Sequence, residues 1–262
     1  MVDFVLVLFF GFPMSPSPSL LETLRAGLSR PGLSRPPRAM ALGAEPVDLV
    51  LGGGLARGAL HEVYGQAGHE TAATGFAAGL AVRLAGKNPV LWIRQDYAAQ
   101  EFGTACASGL CAFGLSPARL LFLCVTTAEQ ALRAALDALS CVALGMVIIE
   151  IIGSPRILDL TASRRLVLAA SHQGVGALFL RLGARPEPSA ADTRWLVRAG
   201  VSAPDENHWG QPVFDVQLIR NRHGQTGRWQ LSWCGDEECF QDAKAASGFV
   251  VSTPGDRQAA AA

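Results

Sequence analysis

The stretch YGQAGHETAATGFAAGLAVRL, residues 64–84, has the pattern of a strand end, a glycine-containing turn and an alanine-rich helix. This order is typical of proteins that hold a phosphate at a helix N-terminus, where free backbone N–H groups and the helix dipole attract an anion. The usual phosphate loop is G-x-x-x-x-G-K-S/T. Counted from Gly65, its last three positions fall on Glu70, Thr71 and Ala72.

These three residues remove the chemistry that a phosphate loop needs. No lysine is present to neutralise phosphate oxygens, and Ala72 has no hydroxyl for magnesium. Glu70 places a carboxylate at the positive end of the helix, where it is favoured by ~0.3–1 kcal/mol and opposes an anionic ligand. We therefore interpret Gly65 and Gly68 as a flexible strand–helix turn, with nucleotide binding as the alternative.

The rest of the chain alternates apolar runs with helical patterns, which predicts an α/β fold with a mostly parallel, helix-covered sheet. Three later segments alternate polar and apolar residues and predict antiparallel strands that extend the sheet. The predicted strands of the first kind are 58–65, 89–93, 120–125, 144–152 and 175–181; the helices are 71–85, about 98–112, 127–140 and 159–171; the later strands are 193–199, 213–220 and 227–233.

Composition divides the chain into three parts. Residues 1–41 are predicted to be an apolar extension, a short helix and a proline- and arginine-rich linker, and either Met1 or Met14 is the true start. Residues 42–240 form the main domain, and residues 241–262 are predicted to be a disordered tail.

Charge and cysteine usage give little support to several classes of function. The 22 basic residues balance the 22 acidic ones, so no global field points to nucleic acid or membrane. The apolar run at the N-terminus is only about ten residues long, too short to span a bilayer. The six cysteines lack the close spacing of a zinc site, so neither a metal nor another cofactor is expected. A reducing, cytoplasmic location is expected.

Two acids and several basic residues are the remaining candidates for function. Asp96 and Glu150 each follow an apolar strand at the carboxyl edge of the predicted sheet, where polar residues are expected because the strand leaves the core. Because the lysine and the hydroxyl of a phosphate loop are missing, we interpret Asp96 and Glu150 as relic acids, which keep their position in the chain but have no catalytic role. The candidate partner contacts are Arg164, Arg165, Arg220, Arg222, Arg228 and Trp229, with a solvated surface or packing as the alternative.

Several stretches together resemble the core of a RecA-type ATPase. They are DLVLGGGLARGALHEVYGQAGHETAATGFAAGLAVRLAG, PVLWIRQDYA, FGLSPARLLFLCVTTAEQALRAALDAL, MVIIEIIG and VFDVQLIRNRHGQTGRWQLSW. The resemblance puts Asp96 where that family has its water-activating glutamate, and Glu150 at the end of the strand with the magnesium-associated acid. It implies a RecA-like core.

Two further stretches, LDLTASRRLVLAASHQGVGALFLR and PSAADTRWLVRAG, resemble the ImuA group, the RecA-like accessory proteins of bacterial damage-induced mutagenesis. The resemblance covers roughly residues 42–234. It implies a non-catalytic adaptor in SOS-induced translesion synthesis that contacts an ImuB-type polymerase-like protein and RecA, and meets DNA indirectly. There are two alternatives. One is a cell-division inhibitor similar to SulA, which belongs to the same broad group of RecA-like proteins, and the other is an ATPase with an atypical phosphate loop.

Overall fold

The computed structural model describes residues 39–98, 101, 103, 106–202 and 210–243. The short helix and linker predicted before residue 39, and most of the predicted tail, lie outside these ranges. The last strand continues to Asp242. The sheet therefore extends two residues beyond the domain end predicted at residue 240.

The described residues include eleven strands and five α-helices. The strands are β1 (Ala39–Met40), β2 (Leu55–Ala56), β3 (Leu60–Gly65), β4 (Val90–Gln95), β5 (Leu120–Val125), β6 (Met146–Ile152), β7 (Gly176–Leu182), β8 (Thr193–Ala199), β9 (Val213–Asn221), β10 (Gly227–Cys234) and β11 (Cys239–Asp242). The helices are α1 (Glu45–Val50), α2 (Glu70–Ala85), α3 (Ala107–Ala112), α4 (Ala128–Leu139) and α5 (Leu160–Gln173).

Nine of the strands form one sheet in the order β11-β10-β9-β8-β3-β7-β6-β4-β5. The six strands from β8 to β5 are parallel, and β9, β10 and β11 continue the sheet in antiparallel pairs. The predicted α/β class with a mostly parallel core is confirmed. Of the helix expected over residues 98–112, Ala98 and Glu101 are helical and α3 covers Ala107–Ala112, but Gly103 and Cys106 are not helical.

The predicted direction of β8 is wrong. On one side, β8 (residues 193–199) pairs parallel with β3. On its other side it pairs antiparallel with β9, the first strand of the antiparallel group. The ten residues 183–192 return the chain along the sheet and across β3, a distance that an extended segment of this length covers easily. The polar–apolar alternation of the strand reports its two faces and carries no information about its direction.

Helix α2 is buried on nearly every side. One side packs on β3, β7 and β8, while Phe214, Trp233 and Phe240 from the antiparallel strands cover another. A Cβ atom at Gly79 would lie 2.7 Å from the Phe240 ring. The small residues of the helix therefore admit large aromatic rings, as expected for a helix that is apolar all round.

Helices α4 and α5 cover the opposite face of the parallel strands. Thr127 and Gln130 form a capping box at the start of α4, and the Asp159 carboxylate accepts the Ala162 N–H at the start of α5 (2.7 Å). These caps satisfy backbone donors that would otherwise be unpaired at each N-terminus.

A buried polar network lies under α5 on β3. The Glu62 carboxylate accepts hydrogen bonds from Arg194 Nε (2.9 Å) and Ser189 Oγ (2.8 Å). The Tyr64 hydroxyl also faces this carboxylate, and burial raises the pKa of Tyr64 to about 12. The network stabilises the crossing segment 183–192 against β3, because Ser189 belongs to that segment.

His61 occupies a second buried network, on the α2 face of the same strand. Its Nε2 faces the Ala56 carbonyl (2.9 Å) and its Nδ1 faces the Thr193 hydroxyl (2.8 Å), which in turn accepts the Trp195 indole N–H (3.0 Å). The carbonyl can only accept, so Nε2 carries the proton and the ring is satisfied as a neutral imidazole. Burial lowers the pKa of His61, against smaller opposing effects of Ala56 and Asp192.

We expect His61 to make the protein less stable as the pH falls. Its pKa is lowered in the folded state, so below the ordinary value of about 6.5 the unfolded chain binds a proton that the folded chain refuses. As the pH falls, the free energy of unfolding should then decrease by up to about 1.4 kcal/mol per pH unit because of this group. In His61→Gln, whose amide can make both hydrogen bonds, this part of the slope should vanish. Urea unfolding between about pH 5.5 and 7.5 measures it, and parallel curves for the two proteins would contradict the assignment.

Candidate functional site

The turn between β3 and α2 depends on its two glycines for backbone reasons. A Cβ atom at Gly65 would lie 2.9 Å from the Ala73 Cβ, and Gly68 has a φ of +81°. The His69 N–H donates to the Gln66 carbonyl (2.8 Å), which closes a tight turn over residues 66–69. Both glycines therefore serve the turn and the close approach of helix to strand, as their interpretation as a flexible turn requires.

Helix α2 begins at Glu70, followed by Thr71 and Ala72. No side chain caps its N-terminus, and the Thr74 hydroxyl donates back to the Glu70 carbonyl (2.9 Å). The Glu70 carboxylate is thus the charged group of the first turn, at the positive end of the dipole. A phosphate at this position would meet the Glu70 carboxylate, and Thr71 stands where a phosphate loop has its lysine.

Glu150 lies inside β6, where it is 3% exposed, and not at the strand end as the sequence predicted. Its carboxylate accepts hydrogen bonds from Arg94 Nε (3.0 Å) and Trp92 Nε1 (2.8 Å), both on β4. Residues 94 and 150 are register partners, which brings the two charged groups together. This pairing explains why an acid is tolerated before the last two apolar residues of the strand.

The carboxylate is held in an apolar setting by these two donors. Burial raises the pKa of Glu150, and the Arg94 guanidinium and the Trp92 indole act against that rise. Arg94 also donates to the carbonyls of Gly103 (2.6 Å) and Ala98 (3.2 Å), so the pair anchors the segment after β4. Both carboxylate oxygens are engaged, which leaves Glu150 poorly suited to coordinate magnesium.

Asp96 differs from Glu150 in its surroundings. It is exposed immediately after β4, with its backbone N–H bonded to the Val125 carbonyl (2.9 Å). Its charge contributes, after burial, to raising the pKa of the Cys124 thiol on β5. Asp96 is therefore exposed to solvent, whereas Glu150 is buried and hydrogen-bonded.

A cavity of about 220 Å³ lies between the start of α2, β4, β6 and α3. Its walls are largely apolar, and the Arg94–Glu150 pair contributes no net charge to it. Glu70 is one of its lining residues, and its carboxylate disfavours an anionic ligand. Among its lining residues are Glu70, Thr71, Thr74, Trp92, Arg94, Cys106, Leu110, Phe113, Glu150 and Leu182.

The hairpin between β9 and β10 is organised by Asn221. Its side-chain amide donates to the carbonyls of Val50 (3.2 Å) and Gln225 (3.1 Å). Arg222 forms a wide ion pair with Asp192, with 3.7 Å between Nη1 and Oδ1. Arg220 is exposed on the same strand end. The basic turn is thus held in place against α1 by an uncharged amide.

Arg228 and Trp229 point to opposite faces of β10. Arg228 forms a two-bond ion pair with Asp215 on β9, and this pairing lowers the pKa of Asp215. Trp229 is half-buried against Trp195, with 6.4 Å between the ring centroids. Trp233 is fully buried and donates to the Ala112 carbonyl (3.1 Å). A flat stacking platform of two tryptophans next to the arginines is therefore not formed.

Trp92 and Arg94, which donate the hydrogen bonds that hold the Glu150 carboxylate, were not predicted from the sequence. The signal was present as a cation and an acid inside neighbouring apolar strands, since such charges must pair or lose their charge. Arg164 and Arg165, in contrast, lie where the sequence predicted, exposed on the outer side of α5.

No protein-family model matches the chain, and no curated protein sequence matches it. Within the described ranges, no helix is long and apolar enough to cross a membrane. The same residues contain no cluster of three or more histidine, cysteine, aspartate or glutamate side chains placed to hold a metal ion.

Proposed function

We propose that this protein is a non-catalytic RecA-like adaptor, similar to ImuA, that acts in SOS-induced translesion synthesis in the bacterial cytoplasm. The observation that carries the proposal is the engagement of Glu150 by Arg94 and Trp92. In an ATPase of this type, the acid on that strand is needed for the metal, and here it is occupied inside the protein. Glu70 at the start of α2 supports the same conclusion.

The topology supports the RecA-like part of the proposal. The strand that leads into the glycine turn is central, with β7 and β8 as its neighbours, so the turn lies at the carboxyl edge of the parallel strands. That edge is where open α/β sheets bind their ligands. The position of the turn therefore supports the proposal, which takes it as a former nucleotide site that lacks the lysine and the hydroxyl of a phosphate loop.

The adaptor works through contact with other proteins. By the resemblance to ImuA, the partners are an ImuB-type polymerase-like protein and RecA, and DNA is met through them. We expect the tagged full-length chain, coexpressed with each partner of the same bacterium, to retain the ImuB-type protein or RecA in a stoichiometric complex. Retention of a cytoskeletal GTPase in place of both would favour the alternative similar to SulA.

We expect no saturable binding of ATP with magnesium. A fluorescent ATP analogue titrated to ~1 mM, the upper end of common enzyme KM values, should give only a linear signal. RecA titrated in the same buffer is the positive control. Saturable, magnesium-dependent binding with hydrolysis that Glu150→Gln abolishes would establish the ATPase alternative.

A further inference from the structure

The outer face of α5 is unusual for a solvated helix. Its inner side is formed by buried Ser163, Leu166 and Ala170. At about 100° per residue, the centre of the opposite, exposed arc falls near Leu168. A polar residue is expected there, yet the Leu168 side chain is apolar and the residue is 68% exposed.

Two more apolar residues lie close to this arc. Leu160 in the first turn is 39% exposed, and Ile157 in the segment before the helix is 42% exposed. These three make up half of the large hydrophobic residues that are exposed in the described part of the chain. We call the surface of Ile157, Leu160, Arg164, Arg165 and Leu168 the α5 face.

The charge of the α5 face is positive. Arg164 and Arg165 flank Leu168 on the helix surface and are exposed. Within the described ranges, neither guanidinium has a hydrogen bond or an ion pair. The nearest acid in sequence, Asp159, is engaged in capping the helix. The face thus combines an apolar centre with two uncompensated cations.

We propose that the α5 face binds an acidic segment of a partner protein, in which an apolar side chain lies between carboxylates. The partner's apolar group would cover Leu168, and its carboxylates would pair with Arg164 and Arg165 in the fork geometry that arginine favours. A leucine at the centre is poorly matched to a row of phosphates, so protein fits this surface better than nucleic acid. The inference rests on the proposed adaptor function and names the surface through which it works.

The test compares binding of the ImuB-type protein and of RecA to the full-length chain and its variants by biolayer interferometry. Leu168→Glu and the double variant Arg164→Glu/Arg165→Glu should each weaken binding of one partner at least about tenfold, because each puts carboxylates opposite carboxylates. Leu49→Glu and Lys87→Glu are matched controls on other exposed sites and should bind as the wild type does. Circular dichroism and melting curves of all four should match the wild type.

The outcomes separate the two proposals. If the wild type binds neither partner, the adaptor function fails and the α5 face proposal with it. If the wild type binds but the two α5 variants bind equally well, only the α5 face is overturned. The face is also overturned if its variants lose affinity for a single-stranded oligonucleotide, or lose self-association in sedimentation, while both protein partners still bind fully.

Discussion

Arg94→Met should destabilise the protein by ~3–5 kcal/mol, the usual cost of leaving one member of a buried ion pair alone. The variant keeps the Glu150 carboxylate in its apolar surroundings with only the Trp92 indole as a donor. Its pKa should then rise further, so the carboxyl group takes up a proton in the folded state well above the pH at which the unfolded chain does. The loss of stability should therefore be larger at about pH 8 than at about pH 5. Urea unfolding at both pH values measures it.

A second substitution tests whether charge is the cause. Arg94→Met/Glu150→Gln removes both charges and leaves an amide oxygen to accept the Trp92 N–H, so it should regain most of the lost stability. Arg133→Met is the matched control, because its ion pair with Glu129 is exposed and should be worth under ~1 kcal/mol. If the double variant is as unstable as Arg94→Met, the contacts of Arg94 with the Gly103 and Ala98 carbonyls matter more than its charge.

The position of the candidate site could be predicted from the sequence, but the ion pair and hydrogen bonds that hold Glu150 could not. The order of strand, glycine turn and helix located Gly65, Gly68 and Glu70 correctly, because those features depend on local backbone geometry. The state of Glu150 depends on a residue 56 positions away, and the pairing of β4 with β6 is set by the whole sheet. A single sequence gives the two charges but not the register that joins them.

The fold shows the same division between local and long-range information. The strand at 120–125 has the predicted bounds, since a short apolar run between turn signals identifies a strand locally. The direction of β8 depends on how residues 183–192 cross the sheet, which no local pattern records. The sequence also did not predict that the antiparallel strands would cover α2 with aromatic rings.

That aromatic cover gives the second large effect. Phe76 on α2 lies 5.0 Å from Phe240, 5.6 Å from Trp195 and 5.8 Å from Phe214 between ring centroids. It is fully buried. The ring thus joins the helix to the parallel strand β8 and to the antiparallel strands β9 and β11. Its removal should weaken both parts of the sheet together.

Phe76→Ala should lower the free energy of unfolding by ~3–5 kcal/mol, from the lost burial and the cavity that the ring leaves. Leu168→Ala, which removes an exposed side chain, should change it by under ~0.5 kcal/mol. Hydrogen exchange gives the more discriminating result, because protection in β3 and in β9 should fall by the same free energy if α2 couples the two parts. A fall confined to β9 and β10 would mean that the antiparallel strands open on their own, and that the parallel sheet holds α2 without them.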